Sequence, residues 1–265
     1  TAVKTQGFDY GRIRLWGSIT FIAGVLVAGE LLDFFEGAEP ILICVLAGLA
    51  LTVLASLMLP QQGADAEARQ DRTSVLRLLG DRVLLRFLCA AALLQASHAG
   101  YFLFSALHWR AAGLSGGTIG LLWAEGVVAE IVLFWLGGKA IARIGPRRLL
   151  MLAALGGLAR WSVLALTADV AALAAVQWLH AATFGMAHLG TVHFIAHRAP
   201  PGLQATAQSL NSALAAGLAM GLSMLASGWL FERYDALAFF AMAAMSLAGG
   251  LLAWSVSARR SATDG

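Results

Sequence analysis

Eight long apolar runs dominate the chain and limit what it can become. They cover roughly 15–34, 40–59, 87–108, 117–138, 148–167, 170–193, 207–230 and 236–257. Each is close to the ~20 residues an α-helix needs to cross a bilayer. Only helices and closed barrels satisfy their own backbone polar groups in lipid, and runs this long and continuous fit helices. Composition agrees: 59% of the 265 residues are apolar and 12% are charged. A soluble globule with that balance would expose too much apolar surface, and disorder needs far fewer apolar residues. The sequence predicts an all-α membrane protein, a polytopic helical bundle of eight transmembrane helices.

One polar stretch, 60–86, separates two spans from the six that follow, and it reads as a solvated linker. With an even number of spans, both termini share one side with this linker. That side collects fifteen of the 18 Lys and Arg residues, including Arg12, Arg69, Arg82, Lys139, Arg147 and Arg259. Arg110 and Arg233 fall on the other side, and Arg160 lies inside a span. The positive-inside rule therefore places both termini in the cytoplasm. An outer acidic cluster of Glu30, Asp33, Glu36 and Glu39 reads as a solvated loop. The net charge of +3 belongs to membrane-flanking loops and does not imply nucleic acid.

Cys44 and Cys89 sit in apolar runs, which argues against a disulfide scaffold, and no metal-ligand spacing is present. No phosphate-binding Gly-rich loop and no nucleophile–base constellation occurs, so neither ATP hydrolysis nor an enzyme is expected. No cofactor or metal is expected either. Gly217 with Gly221, and the pairs Gly156–Gly157 and Gly249–Gly250, predict close helix packing.

Ionisable groups at membrane depth are costly and become functional candidates. On the sixth span Gln177, His180, His188 and Thr191 share an arc of about 80° at 100° per residue. On the third, Ser97, His98, Tyr101, Ser105 and His108 lie within about 100°, with Gln95 outside that arc. His108 is near the outer end and reads as interfacial. Glu125 and Glu130 of the fourth span point about 140° apart, so both cannot face one narrow site. Arg160 offers a counter-ion. Gln208, Asn211 and Ser212 open the seventh span on one face. Each group could line an aqueous path or bond between helices.

The segment Gly137-Gly138-Lys139-Ala140-Ile141-Ala142-Arg143-Ile144-Gly145-Pro146-Arg147-Arg148 resembles the cytoplasmic loop motif of the major facilitator superfamily, with Ala142 in place of the usual aspartate. Tyr10-Gly11-Arg12-Ile13-Arg14-Leu15-Trp16-Gly17 looks like the start of the fifth helix in the lactose permease-like branch. The phrases LLQASHAGYFLFSALHW, LWAEGVVAEIVLF, QWLHAATFGMAHLG and SGWLFERY are similar to its phenylpropionate-transporter-like subfamily. This resemblance runs from residue 10 to 258. It maps the eight spans onto helices five to twelve of a twelve-helix major facilitator fold. The implied organisation is 1–59 as the last two helices of an N-terminal lobe, 60–86 as the cytoplasmic inter-lobe linker, 87–258 as a complete six-helix lobe, and 259–265 as a cytoplasmic tail. Four helices would precede Thr1.

By resemblance Arg14 contacts substrate, the stretch from Glu125 to Glu130 aligns with the permease's eighth helix, and Arg160 and His180 match an arginine of its ninth helix and a histidine of its tenth. The departures are Val127 at the permease's helix-eight carboxylate, Thr183 at its proton-carrying glutamate and Gln177 at its helix-ten lysine. Glu130, one turn beyond Val127, could take over proton binding. The expected function is proton-coupled uptake of a small organic solute by alternating access, an aromatic carboxylate fitting best. The expected partners are that solute, protons and lipid, with the protein a monomer in a bacterial inner membrane. Arg14, Gln95, His98, Tyr101, His180, His188 and Asn211 are the substrate candidates. Glu130, Glu125, Arg160 and His180 are the proton-coupling candidates, and Tyr101, Trp123 and Phe184 could flank a ring. A nucleoside or sugar transporter is the alternative within the class. A non-transporting membrane sensor or an inactive fragment is the alternative outside it.

Overall fold

The computed structural model describes residues 10–35, 39–58 and 72–256, with side chains at all of these except 10–15, 72–74 and 136–142. Every regular element among them is helical. In chain order these are α1 (Tyr10–Phe34), α2 (Glu39–Leu57), α3 (Arg72–Gly80), α4 (Arg82–Ala96), α5 (Ala99–Ala111), α6 (Gly116–Ile144), α7 (Pro146–Leu166) and α8 (Val170–Gln177). A π-helical segment, Ala181–Met186, leads into α9 (Ala187–Arg198). Then come α10 (Gln204–Ser212), a second π-helical segment (Ala213–Ala219), α11 (Met220–Tyr234) and α12 (Phe239–Ser255).

Seven stretches of the described residues are long and apolar enough to cross a membrane. The last, Gln204–Ser255, has 52 residues, about 78 Å of helix at 1.5 Å per residue and more than twice a bilayer core. It breaks at Asp235, whose φ of 49° is foreign to an α-helix. The break separates the helical run through α10 and α11 from α12, where the seventh and eighth apolar runs are expected.

Local chemistry moves the expected boundaries. The third span starts at Arg82, not 87, because Asp81 caps it by accepting the N–H groups of Val83 (3.0 Å) and Leu84 (3.1 Å). Arg198, closing α9, adds bonds of 2.7 and 3.0 Å to the same carboxylate. Burial pushes the Asp81 pKa up, but the Arg198 bonds and charge and the two backbone donors outweigh it, leaving a pKa below the ordinary carboxylate value. The polar 60–86 stretch is not all solvated linker: it contains α3, whose Leu78 is buried against Leu84, Leu88 and Ile195. The fourth span continues to Ile144, so the motif loop shrinks to one residue. That residue is Gly145, at φ 82°, followed by Pro146 at the first position of α7. Glycine tolerates that φ and proline suits that position.

The chain packs as two compact units. One comprises the described residues of 1–69 together with 109–124. Here Asp33 accepts the N–H groups of Gly116 (2.8 Å) and Gly117 (2.9 Å) at the start of α6 and pairs with Arg110. Asp33 is thus a helix-capping group and not part of a freely solvated loop. α2 has no buried residue, and Leu46, Leu49 and Leu54 stand open on it. Such a surface suits lipid contact.

The other unit comprises the described residues of 70–108 and 125–265. α12 lies along α7 and α4. Its contacts are as close as the paired glycines predict. A Cβ on Gly250 would stand 2.6 Å from the Ala154 Cβ, and one on Gly249 would stand 3.0 Å from the Leu94 Cγ. Gly217 and Gly221 differ from expectation, with nothing within 4 Å of a Cβ there. They share an open face with Leu218, Leu222 and Leu225. The rings of Phe87 and Phe194 stack at 3.7 Å and join α4 to α9.

Candidate functional site

The polar residues of spans three, five and six meet within the second unit, at places where the helices are irregular. Between α4 and α5, the His98 N–H bonds to the Gln95 carbonyl (3.1 Å), a tightened turn. Ser97 Oγ donates to the Leu94 carbonyl (2.7 Å), and His98 Nδ1 reaches the carbonyls of Leu94 (3.2 Å) and Gln95 (3.1 Å). Side chains there satisfy carbonyls that the regular ladder leaves behind. On span six, α8 ends at Gln177 and the π-helical segment follows His180. Irregular backbone at membrane depth is tolerated where protein buries it, and π-helical turns often mark functional sites.

Arg160 is the hub. It is fully buried. Its Nη1 lies 3.0 Å from His180 Nδ1 and 3.3 Å from Thr183 Oγ1, and its Nη2 donates to Gln177 Oε1 at 2.6 Å. Tyr101 also donates to Gln177 Oε1, at 3.4 Å. The rings of Tyr101 and Trp161 flank the guanidinium at 4.5 and 4.7 Å, within cation–π reach. Trp161 is held in turn, its Nε1–H shared between Ser97 Oγ (3.2 Å) and Ser246 Oγ (3.1 Å).

These contacts fix hydrogen positions. A guanidinium only donates, so His180 Nδ1 accepts from Arg160, and the neutral ring carries its proton on Nε2. That Nε2–H faces Glu130 Oε2 at 3.9 Å. His98 Nδ1 faces two carbonyls and must donate. Its Nε2, 3.2 Å from Thr183 Oγ1, then accepts the threonine hydroxyl. Thr183 therefore accepts from Arg160 and shares its hydroxyl proton between His98 Nε2 and the His180 carbonyl (3.4 Å). Hydrogen bonds join His180, Arg160, Thr183 and His98 into a relay, and Glu130 stands at ion-pair distance from its His180 end; the groups come from α6, α7, span six and span three. The edge of the relay is Glu130 and His180, which keep 8% and 9% of their surface exposed.

On span six, residues four apart share a face. The His180 and Phe184 rings stack at 5.3 Å, and the Phe184 and His188 rings at 6.5 Å, each pair within 14° of parallel. Thr191, the last residue of the predicted stripe, is buried and bonds its own helix at the Ala187 carbonyl.

The remaining candidates fall elsewhere. Gln95 joins through its backbone carbonyl. Glu125 is half-buried and makes no hydrogen bond or ion pair with the relay residues among the described residues. Asn211, on α10, buries Oδ1 without a hydrogen bond among the described residues. Trp123 lies against Phe21 in the first unit, the rings tilted by 42° with centres 6.4 Å apart. The side chain of Arg14 lies outside the described residues. His108, expected at the interface, lies 3.6 Å from Asp235. Thr183, which looked like a missing function, is central. Its spacing three residues after His180 was a usable signal, because such pairs share a helix face. Ser246 carried no comparable signal. No group of three His, Cys, Asp or Glu residues is placed to hold a metal ion among the described residues.

Comparison with known proteins adds a frame. A model described as "MFS_1 like family" matches residues 1–242. The chain is 35% identical, over 92% of its length, to an Escherichia coli protein described as a "Probable 3-phenylpropionic acid transporter". It is 31% identical, over 99% of its length, to a "Maltose permease" of Geobacillus stearothermophilus. The chain spans 64% and 66% of the lengths of these two relatives.

Proposed function

The chain belongs to the MFS_1 like family, and from that premise we propose that the protein is a proton-coupled secondary transporter taking up a small organic solute by alternating access. It is an all-α, multi-pass membrane protein of the major facilitator type. The reading adds that residues 1–59 and 87–258 belong to the two lobes of such a transporter. It adds an inner-membrane location with both ends of this chain cytoplasmic.

The observation carrying the proposal is the contact of Glu130 with the Nε2–H edge of His180. Glu130 is the proton carrier. His180 is ill placed for that role, because a proton on its Nδ1 would face the Arg160 donor 3.0 Å away. When Glu130 takes a proton, the relay keeps the positive charge of Arg160 and loses its nearest negative one. A solute carboxylate is then attracted, and proton and solute move together. An aromatic monocarboxylate is favoured by the 3-phenylpropionate named for one relative and by the Phe184 and Tyr101 rings beside the relay. Arg14 and His188 are proposed as further solute contacts and Glu125 as an auxiliary proton site. A sugar is the second reading, favoured by the maltose permease relative and by the buried, unbonded Asn211 Oδ1.

Uptake of labelled 3-phenylpropionate into proteoliposomes tests the proposal, with a proton gradient, with a protonophore, and with maltose as competitor. Gradient-driven accumulation that the protonophore abolishes and maltose leaves alone is expected. Accumulation indifferent to the protonophore contradicts proton coupling, and maltose competition moves the solute to the second reading.

A further inference from the structure

The helical run through α4 and α5, Arg82–Ala111, has 30 residues, about 45 Å at 1.5 Å per residue. The hydrocarbon core of a bilayer is about 30 Å thick, so the run overshoots it at both ends. Centred on the core, its middle falls beside Ser97, which belongs to the buried polar network. Arg86 then stands about 16 Å from the midplane, at the edge of the hydrocarbon, and Arg82 about 22 Å out, among the headgroups.

Arg82, Arg86 and Cys89 are exposed, and Leu93 is half-buried. Steps of four, three and four put them on one face of α4. The opposite face holds Leu84, Phe87, Leu88 and Ala91, all buried. The open stripe therefore looks out to lipid, with its two charges at the membrane surface and its apolar residues deeper. Among the described residues neither arginine makes a hydrogen bond or an ion pair. Their neighbour Asp81 is already taken by Arg198 and by two backbone N–H groups. α3 marks the same depth independently. Its Leu78 is anchored in a cluster with Leu84 and Leu88, whereas Leu76 and Leu79 are 63% and 41% exposed. Open leucines on a short helix of this kind suit the boundary between headgroups and chains.

A guanidinium at the edge of hydrocarbon extends its stem toward the headgroups and needs an anion there. We propose that Arg82 and Arg86 hold the headgroup of one anionic phospholipid, whose chains run down the stripe past Cys89 and Leu93. The two side chains, one turn apart, fork the phosphate oxygens in charge-assisted bonds. A lipid of net negative charge is preferred, because a zwitterionic headgroup brings a cation of its own beside two arginines that have no acid. The site lies apart from the relay and does not depend on the transport reading.

The purified chain in an uncharged detergent tests this. Its thermal midpoint is followed while phosphatidylglycerol, phosphatidylcholine or inorganic phosphate is added. A saturable rise with phosphatidylglycerol alone is expected. Each basic contact near a membrane surface is worth about fivefold in affinity, and two about thirtyfold. Arg82→Gln with Arg86→Gln should therefore raise the half-saturating phosphatidylglycerol about thirtyfold, and the matching pair of lysine substitutions should restore most of the affinity. Arg147→Gln with Arg148→Gln removes the same charge at the start of α7 and should leave the half-saturating concentration unchanged. Should the first pair fail to fold, native mass spectrometry of the unaltered chain supplies a second measurement: one phosphatidylglycerol should be retained where phosphatidylcholine is shed. An equal response to both lipids, a response reproduced by inorganic phosphate, or an equal loss in the α7 pair overturns the site. No transport is measured, so the outcome is separate from that of proton coupling.

Discussion

The tightest contact near the relay is between α7 and α12, and a single methyl group tests it. In Gly157→Ala the new Cβ stands 2.8 Å from the Ser246 Cβ and 3.3 Å from Trp161 Nε1. Carbon atoms rest at about 3.5–4.0 Å. A Cβ moves only with its backbone, so α7 and α12 must part by most of an ångström. Overpacking of this kind costs about 1–3 kcal/mol. The parting also stretches the 3.1 Å bond from Trp161 to Ser246, worth about 1 kcal/mol more. The expected loss is therefore about 2–4 kcal/mol. Ser246→Gly removes the obstacle at its own cost in packing and helix propensity. The double variant should accordingly be more stable than the sum of the two singles by at least about 1 kcal/mol. Reversible unfolding in detergent, followed by Trp fluorescence, reads all four proteins. Strict additivity, or a neutral Gly157→Ala, would refute the contact and with it the account of how Trp161 is held over Arg160.

Two other perturbations follow from the geometry. Asp81→Asn keeps a capping oxygen but loses the charge and the Arg198 pair, and should lower stability at neutral pH by about 0.5–1 kcal/mol. Because the folded pKa of Asp81 is depressed, its contribution is complete above the unfolded carboxylate pKa and fades as pH falls through the lower folded value. The two proteins should converge in acid, and a constant difference down to strong acid contradicts the assignment. Thr183→Val should cost about 1–3 kcal/mol by leaving His98 Nε2 without its donor, while Thr183→Ser keeps most of the stability. Thermal unfolding of the pair checks this, and equal losses argue against the hydroxyl.

Much of this architecture was readable in advance because a bilayer fixes the length of what crosses it. Seven stretches of the described residues are long and apolar enough to cross, and the 52-residue one is interrupted at Asp235, between the last two expected runs. Arg160, His98 and His180 stood out for the same reason, since ionisable groups at that depth need partners. The partners themselves were less visible. A uniform 100° per residue does put Phe184 and His188 on one face, but it could not foresee the π-helical segment after His180 or the bond of Thr191 to its own backbone. Asp33 looked like one of four solvated acids until the start of α6 supplied its N–H groups. Ser246, Trp161 and Ser97 form one hydrogen-bonded set from residues 149 positions apart. Pairings of that range depend on how helices dock, and the periodicity of one helix carries no record of it.

The central claim is that Glu130 carries the coupling proton and is not merely a structural partner of His180. Glu130→Gln keeps the shape and an acceptor oxygen for the His180 Nε2–H but cannot exchange a proton. In proteoliposomes the variant should exchange labelled solute across the membrane at equal concentrations, with a rate insensitive to pH, and fail to accumulate it against a gradient when protons are supplied outside. Uphill accumulation at the level of the unaltered protein would contradict the account.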